Sequence, residues 1–201
     1  MWMHLFTVAL TAMTMVTGGT ALGASAGTQA PGFSIADTSG KVVRLADYRG
    51  KYVVLEWTNP ECPFVRKHYA SGNMQALQKD WGAKGVVWLA VNSTSASSPE
   101  FKTPEQMRDW MRVQGAAPAA TLLDRTSETG RAYGARTTPQ MFVVDPAGNL
   151  IYQGAIDDKR SADPADAKTA NNYVRAALTE ALAGKPVTVA STVPYGCSVK
   201  Y

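Results

Sequence analysis

This chain has few cysteines and no run of charges of one sign. Cysteine occurs at only two of 201 positions, Cys62 and Cys197, so any chemistry that needs a pair of thiols must use both. The net charge of +4 is spread along the chain, and no basic stripe is interleaved with aromatic residues, which argues against binding to nucleic acid. A composition that is 45% hydrophobic and 18% charged is that of an ordinary globular protein, and the length suits one α/β domain with extensions.

Long hydrophobic runs are also missing, except for residues 5–16 near the N-terminus. This run is short for a membrane span, and it precedes small residues that end in Ala24-Ser25-Ala26, a pattern typical of signal-peptide cleavage. We therefore predict a signal peptide over residues 1–26, although His4 replaces the usual Lys or Arg, and a retained anchor is the alternative. Export predicts a periplasmic or secreted protein with no stable membrane span after signal removal, in an oxidising compartment.

The most informative stretch surrounds Cys62. Residues 53–57 are mostly β-branched and apolar, as in a buried strand, and a polar loop leads from them to the cysteine. An amphipathic segment then extends to about residue 81, with Pro63 in the first turn, where its missing N–H costs nothing. The pattern places a thiol at a helix N-terminus, where the helix dipole and unpaired N–H groups favour the thiolate. Cys62 is therefore predicted to be a nucleophile.

The rest of the chain alternates strand and helix patterns. A capping box at Thr103 and Gln106 begins one helix. Its apolar stripe is predicted to lie in the core and consists of Met107, Trp110, Met111 and Val113. The order predicts a sheet between layers of helices, with parallel and antiparallel strands mixed. The further predicted elements are a hairpin of strands 33–36 and 42–45, strands 86–91, 121–123 and 150–156, a polar helix or turn at 124–133, and helices 103–114 and 171–182.

Two motifs resemble a known family. The order strand-acid-Trp-loop-Cys-Pro around Cys62, with Thr138-Pro139 before a Phe-Val-Val-Asp strand, resembles the thioredoxin-fold superfamily in its peroxiredoxin-like (AhpC/TSA, redoxin) and TlpA-like branches. The resemblance extends over about residues 31–184. It implies an α/β thioredoxin-like fold, with a central mixed sheet flanked by helices, an N-terminal β-hairpin and a C-terminal extension. It also implies that Pro139 is cis and packs near Cys62.

The chain departs from thioredoxin at one position. Val65 stands where the second cysteine of Cys-x-x-Cys would be, so a second thiol must come from Cys197. We divide the chain into the signal peptide, a thioredoxin-like domain at 27–184 and a tail at 185–201. Cys197 lies near the end of this tail between Gly and Ser, which suits a mobile resolving cysteine and equally a static clamp.

Two more candidate catalytic residues precede Cys62. Glu56 lies where thioredoxin-like proteins carry a buried acid, and an apolar strand would raise the pKa of its carboxyl, so that it could accept and return a proton. The alternative is a half-exposed strand end. Thr58 lies four residues before Cys62, whereas peroxiredoxins place a threonine three before the cysteine. Its hydroxyl is a candidate hydrogen-bond donor to the thiolate. With Cys62, Cys197 and Pro139, these residues form the predicted site.

Several charged residues have simpler interpretations. The cluster Arg66-Lys67-His68 is interpreted as a solvated helix face, with an anion-binding site as the alternative, and His68 lies about 100° from the face of Cys62. Arg136 is a conceivable substitute for the arginine that peroxiredoxins use to hold thiolate and peroxide. The adjacent Asp157 and Asp158 are interpreted as solvated loop residues rather than a metal or acid pair.

The sequence predicts an exported thiol–disulfide oxidoreductase or thiol-dependent peroxidase, with Cys62 as nucleophile and Cys197 as resolving cysteine. The partners would be a disulfide or peroxide substrate and a protein or small thiol reductant, and no cofactor is implied. One alternative is a copper-binding metallochaperone that uses Cys62, Cys197 and His68 as soft ligands. Another is a binding module in which the two cysteines form a permanent structural disulfide.

Overall fold

The computed structural model describes residues 23–201. The predicted signal peptide therefore lies outside the described residues, apart from its last four positions. The nine strands of the described part are β1 (Ser34–Ala36), β2 (Val42–Arg44), β3 (Val53–Trp57), β4 (Val87–Asn92), β5 (Ala120–Leu123), β6 (Thr137–Thr138), β7 (Gln140–Val144), β8 (Leu150–Gly154) and β9 (Cys197–Ser198). The helices are α1 (Pro63–Ala70), α2 (Asn73–Gly82), α3 (Pro104–Val113), α4 (Glu128–Tyr133) and α5 (Tyr173–Leu182), with 3-10 turns at Leu45–Tyr48 and Pro164–Lys168.

A mixed five-stranded sheet forms the centre of the fold, in the order β5-β4-β3-β7-β8. Strand β4 is parallel to β3 and β5, whereas β7 is antiparallel to β3 and β8. The strands β1 and β2 form the predicted N-terminal hairpin. The α/β class and the mixed sheet are therefore confirmed. Because β3 is central and buried along its whole length, the loop that follows it begins from a rigid support.

The predicted long helix after Cys62 is wrong in one respect, since the structure has two helices there. Gly72 separates α1 from α2 with a φ of 76°, a left-handed conformation that glycine adopts without the steric cost of a Cβ atom. A glycine inside a helical pattern weakens the helix, but the amphipathic pattern continues past residue 72 and does not by itself indicate a full break. The shorter α1 carries Cys62 at its start and leaves the two helices free to pack separately.

The capping box predicted for α3 is confirmed. The amide of Gln106 donates to Thr103 Oγ1, and Gln106 Oε1 accepts from the amide of Thr103 at 2.9 Å. The predicted core stripe is confirmed for Met107 and Met111, which are buried against β4 and β5, while Trp110 is half-buried against the same cluster. The prediction is wrong for Val113, which lies in the last turn and is 69% exposed.

Apolar side chains cover both faces of the sheet. On one face, residues of α1, α2 and α5 pack against Val54, Trp88 and Val143. On the other, Trp57 and Phe142 pack with the N-terminal hairpin and α4. The central strands are therefore buried on both sides, which fits their uninterrupted apolar sequences. Among the helices of residues 23–201, none is both long and apolar enough to cross a membrane.

The C-terminal tail follows the surface of the domain in an extended path. The amide of Gln153 donates to the carbonyl of Ala190, and the amide of Thr192 donates back to Gln153. Further along, β9 pairs with β6, and the amide of Ser95 donates to the carbonyl of Lys200 at 2.6 Å. Backbone hydrogen bonds thus hold the tail on both sides of Cys197.

Candidate active site

Cys62 is the N-cap residue of α1, as the sequence predicts. Its amide donates to the carbonyl of Asn59, and its carbonyl accepts from the amide of Arg66. The side chain of Asn59 braces the loop, because Oδ1 accepts from the amide of Glu61 at 3.0 Å and Nδ2 donates to Glu100 at 2.6 Å. The backbone at the cysteine is therefore fixed from both directions. The cysteine itself is only 1% exposed.

The thiol of Cys62 faces the peptide bond between Thr138 and Pro139. This bond is cis, as the family resemblance implies, and Cys62 Sγ donates to the carbonyl of Thr138 at 2.9 Å. Thr138 belongs to β6, directly before the central strand β7. The core of the sheet thereby holds this carbonyl against the sulfur.

Cys197 lies beside the same peptide unit, because β9 pairs with β6 so that Thr138 is opposite Cys197 and Thr137 is opposite Ser198. The preceding residue, Gly196, has a φ of 137°, and a Cβ atom there would overlap the carbonyl of Thr138. Only glycine allows the tail to approach so closely. The tail therefore presents Cys197 to Cys62.

The Cys197 thiol is half-buried and interacts with Cys62. Burial first, and then the adjacent Cys62 sulfur, together raise the pKa of Cys197 to about 12. A thiol with this pKa keeps its proton at neutral pH. Cys197 is therefore a neutral thiol when both cysteines are reduced.

Glu56 is fully buried in β3, which confirms the predicted burial. Desolvation raises the pKa of its carboxyl to about 7, although three hydrogen-bond donors, and to a smaller extent the nearby Thr58 hydroxyl, partly offset that rise. These donors are Trp88 Nε1 at 2.8 Å, the hydroxyl of Tyr69 at 2.8 Å and Gln78 Nε2 at 3.2 Å. The acid lies beneath α1 within its own hydrogen-bond network, and its contacts are with these three side chains rather than with the sulfur.

The side chain of Thr58 is buried near Glu56 rather than bonded to Cys62. Its Oγ1 completes no well-aligned hydrogen bond within residues 23–201, but it is near enough to the Glu56 carboxyl to help lower the pKa of that group. The carbonyl of Thr58 instead accepts from Asn92 Nδ2 at 3.0 Å. Thr58 therefore supports the loop through its backbone.

The solvated helix face predicted at residues 66–68 is wrong for two of its three members. Arg66 is exposed and pairs with Glu61 at 2.7 Å, but the side chains of Lys67 and His68 are fully buried. Burial, and then the neighbouring charge of Lys67, lower the pKa of His68 to about 3, so its ring is neutral. Its ring nitrogens contact Asn73 Nδ2 at 3.0 Å and the hydroxyl of Tyr195 at 3.4 Å.

The solvated interpretation of Asp157 is also wrong. Asp157 is buried, and its carboxylate accepts a hydrogen bond from the hydroxyl of Tyr195 and lies 3.7 Å from Lys67 Nζ. Asp158 remains partly exposed and bonds Asn171. Sequence reasoning missed this buried cluster. The available signals were the position of Asp157 directly after the apolar pair Ala155-Ile156, which follows β8, and that of Tyr195 two residues before Cys197.

Comparison with known proteins gives the family. The family model for AhpC/TSA matches residues 26–153. The chain belongs to the AhpC/TSA family. Among curated relatives, the thiol-disulfide oxidoreductase ResA of Bacillus subtilis (strain 168) is 27% identical over 127 residues, which cover 63% of this chain and 65% of ResA. The chain thus spans slightly less than two thirds of the length of that relative.

Solved structures agree with an AhpC/TSA chain of thioredoxin-like fold. A conserved, uncharacterized protein from Geobacillus kaustophilus is 32% identical with a TM-score of 0.77, covering 88% of this chain and 92% of that protein. A candidate thiol:disulfide interchange protein DsbE from Chlorobium tepidum is 25% identical with a TM-score of 0.54, covering 65% and 84%. The predicted thioredoxin-like, TlpA-type fold is confirmed.

The other predicted binding residues do not gather around the cysteines of this AhpC/TSA chain. Arg136 is exposed and lines a groove of about 420 Å³ beside tail residues 191–194, and Cys62 is not part of that groove. His68 points to Asn73 and Tyr195, not to the sulfurs. Within residues 23–201, no group of three or more His, Cys, Asp or Glu side chains is placed to hold a metal ion. Cys62, Cys197 and His68, the three residues considered as copper ligands, therefore do not form a metal site in the described part of the chain.

Proposed function

We propose that this protein is an exported thiol–disulfide oxidoreductase in which Cys62 and Cys197 alternate between two thiols and a disulfide. The pairing of β9 with β6 carries the proposal, since it sets Cys197 opposite the residue whose carbonyl contacts Cys62. The relative ResA is itself a thiol-disulfide oxidoreductase by name, which supports the same chemistry.

In the exchange reaction, the Cys62 thiolate attacks one sulfur of a substrate disulfide, and the other substrate sulfur leaves as a thiolate. Cys197 then attacks the Cys62 sulfur, and its proton passes to the substrate thiolate that has already left. A bond forms between the two protein sulfurs, and the second substrate thiolate leaves. The substrate gains two electrons and the protein loses two. Thiols of a partner protein or a small molecule return the electrons by the reverse steps.

Peroxide reduction is the second candidate, and the burial of Cys62 favours it. A thiol that is 1% exposed is reached more easily by hydrogen peroxide than by a disulfide in a folded protein. Cys62 would take one oxygen atom to become a sulfenic acid while hydroxide leaves. Cys197 would then attack that sulfur, forming the disulfide and releasing water. Both reactions end in the same oxidised protein.

The other residues of the predicted site support this cycle. Glu56, with a carboxyl pKa of about 7, is a proton acceptor and donor near neutral pH, and it acts through Tyr69 and its other partners. Pro139 fixes the backbone that faces Cys62. Thr58 positions the loop in front of the cysteine.

Export follows from residues 1–26 alone, with cleavage before Gly27. Expression of the full chain in a bacterial host, followed by intact mass of the periplasmic protein, tests it. A mass that corresponds to a chain beginning at Gly27 supports export, and an uncleaved cytoplasmic product contradicts it.

The decisive experiment is thiol titration with peptide mapping, before and after one equivalent of hydrogen peroxide or oxidised glutathione. Wild type should convert two free thiols into a Cys62–Cys197 disulfide. Cys197→Ser should stop at a Cys62 sulfenic acid that dimedone traps, or at a Cys62–glutathione disulfide. Faster reaction with peroxide would identify the peroxidase, and faster reaction with glutathione the exchange enzyme. Two thiols that stay free with both oxidants would falsify the proposal.

The same purified protein can be used to test the two alternative functions, the metallochaperone and the binding module. Copper(I) bound by reduced wild type and lost in Cys62→Ser would indicate the metallochaperone. A disulfide that resists reduction in glutathione buffers and never turns over would indicate the structural clamp of a binding module.

A further inference from the structure

The tail is attached to the domain by a buried tyrosine next to Cys197. Tyr195 is 7% exposed, and its ring packs edge-on against Phe64 with the centroids 5.9 Å apart. Its hydroxyl donates to Asp157 Oδ1 and lies 3.4 Å from Lys67 Nζ and 3.4 Å from His68 Nε2. Tyr195 is the one buried residue of the tail at 185–201, and three polar groups and an aromatic ring hold it there.

The polar groups around Tyr195 form a closed cluster. Lys67 Nζ donates to the carbonyl of Lys159 at 2.6 Å, and the amide of Lys159 donates to Asp157 Oδ1 at 3.0 Å. Asp157 Oδ2 makes no hydrogen bond within residues 23–201, so the carboxylate depends strongly on the donors at Oδ1. Because a buried carboxylate that loses a donor is costly, the cluster favours the state in which Tyr195 is docked.

This cluster is built on the helix that presents Cys62. Phe64, Lys67 and His68 all lie on α1, which Cys62 caps. The next tail residue, Gly196, rests on the Thr138 carbonyl, and the one after it is Cys197. Helix α1 thus carries Cys62 and also the side chains that hold Tyr195, two residues before Cys197. Docking of Tyr195 therefore affects both how far Cys62 is covered and how closely Cys197 approaches it.

We propose that Tyr195 is a positioning residue that latches the tail over the two-cysteine site. With the latch closed, Cys197 faces Cys62 and the Cys62 thiol is covered. With the latch open, Cys62 is accessible to large disulfide substrates and separated from Cys197. The role for Cys197 rests on the proposed function, whereas the cover of Cys62 does not.

The first test measures opening of the tail through alkylation of Cys62 by iodoacetamide in a Cys197→Ser background, read by mass spectrometry. A covered thiol reacts only through open states, so its rate reports the open population even when the tail is mostly docked. Adding Tyr195→Phe should accelerate alkylation about tenfold, as expected for loss of a buried hydrogen bond to a charged group.

The matched control is Tyr133→Phe. The ring of Tyr133 is also buried, and its hydroxyl donates to the carbonyl of Pro31 at 2.8 Å, a bond in which no tail residue takes part. This variant should alkylate at the parent rate. An unchanged rate in Tyr195→Phe, or equal acceleration in both variants, would overturn the latch, because equal acceleration indicates general loosening of the fold.

The second test keeps both cysteines and follows their disulfide in glutathione buffers. Tyr195→Ala removes the ring and the hydroxyl, so the equilibrium constant for the Cys62–Cys197 disulfide should fall about tenfold. Val193→Ala, which trims an exposed residue of the same tail, should leave it unchanged. An equal constant in wild type and Tyr195→Ala would refute the positioning role. If wild type never forms the disulfide, the proposed function fails, and the alkylation test still decides the latch.

Discussion

Thr138 and Cys197 lie opposite one another in the short antiparallel ladder between β6 and β9. The carbonyl of Thr138 also accepts the hydrogen bond from the thiol of Cys62. One peptide unit therefore contacts the first cysteine and sets the register of the second. The approach of the two sulfurs depends on backbone pairing of the tail, and changes to that backbone should alter the redox chemistry more than changes to surface side chains.

Gly196→Ala should weaken the two-cysteine cycle, because the added methyl group would overlap the Thr138 carbonyl at a φ of 137°. We expect disulfide formation after hydrogen peroxide to slow at least about tenfold, with sulfenic acid accumulating on Cys62. Quenched-flow sampling followed by peptide mapping of the two cysteines measures the rate of disulfide formation and the amount of sulfenic acid.

The control for backbone strain is Gly40→Ala, where φ is 88° and nothing lies within 4 Å of the added atom. That variant should lose some stability and keep the rate of disulfide formation. If Gly196→Ala oxidises as fast as Gly40→Ala, close packing on Thr138 is not needed for the reaction.

Glu56→Gln should change how stability depends on pH. Since the carboxyl pKa rises from 4.5 to about 7 on folding, the native protein binds the extra proton, and this contribution is present below pH 4.5 and lost as the pH rises through about 7. At about 1.4 kcal/mol per pKa unit, the loss is about 3 kcal/mol. Glu56→Gln has no carboxyl at this position, so its free energy of unfolding should not show this pH-dependent loss.

The comparison must be a difference between the two proteins, because His68 acts in the opposite direction. Its pKa falls from 6.5 to about 3, so its contribution is lost as the pH falls toward 3. Urea unfolding of wild type and Glu56→Gln from pH 4 to 8 gives the difference. A difference that stays constant over this range would show that Glu56 does not titrate near neutrality.

Thr58→Val should have little effect on Cys62, because the Thr58 hydroxyl makes no hydrogen bond to the sulfur, which instead donates to the Thr138 carbonyl. We expect a rate of Cys62 oxidation within about twofold of wild type and a free energy of unfolding that is equal or higher, since valine replaces an unsatisfied buried hydroxyl. The kinetics of reaction with peroxide measure the oxidation rate, and urea unfolding measures the free energy of unfolding. A tenfold slower reaction, restored by Thr58→Ser, would assign the hydroxyl a direct role.

Local signals in the sequence account for what could be predicted. The N-cap position of Cys62 follows from an apolar strand, a polar loop and Pro63, and the burial of Glu56 follows from the strand that carries it. Both depend on neighbours in sequence. The cis state of Pro139 followed from the family resemblance, not from local pattern.

The buried cluster could not be predicted in this way. Lys67 lies 128 positions before Tyr195 and 92 before Lys159, so its burial is decided by distant segments that pack over α1. A lysine or aspartate is almost never fully buried unless it is paired, and a sequence does not reveal the pair. The same applies to Gly196, whose need for glycine arises only once the tail lies on Thr138.

The hydrogen bond of 2.8 Å from Trp88 Nε1 to Glu56 gives the molecule an internal optical probe. Indole emission responds to charge beside its N–H group, and the carboxyl beside Trp88 changes charge at a pKa of about 7. Fluorescence therefore follows proton gain and loss in the core without an attached dye, and Trp88→Phe isolates the share of the signal that comes from this indole.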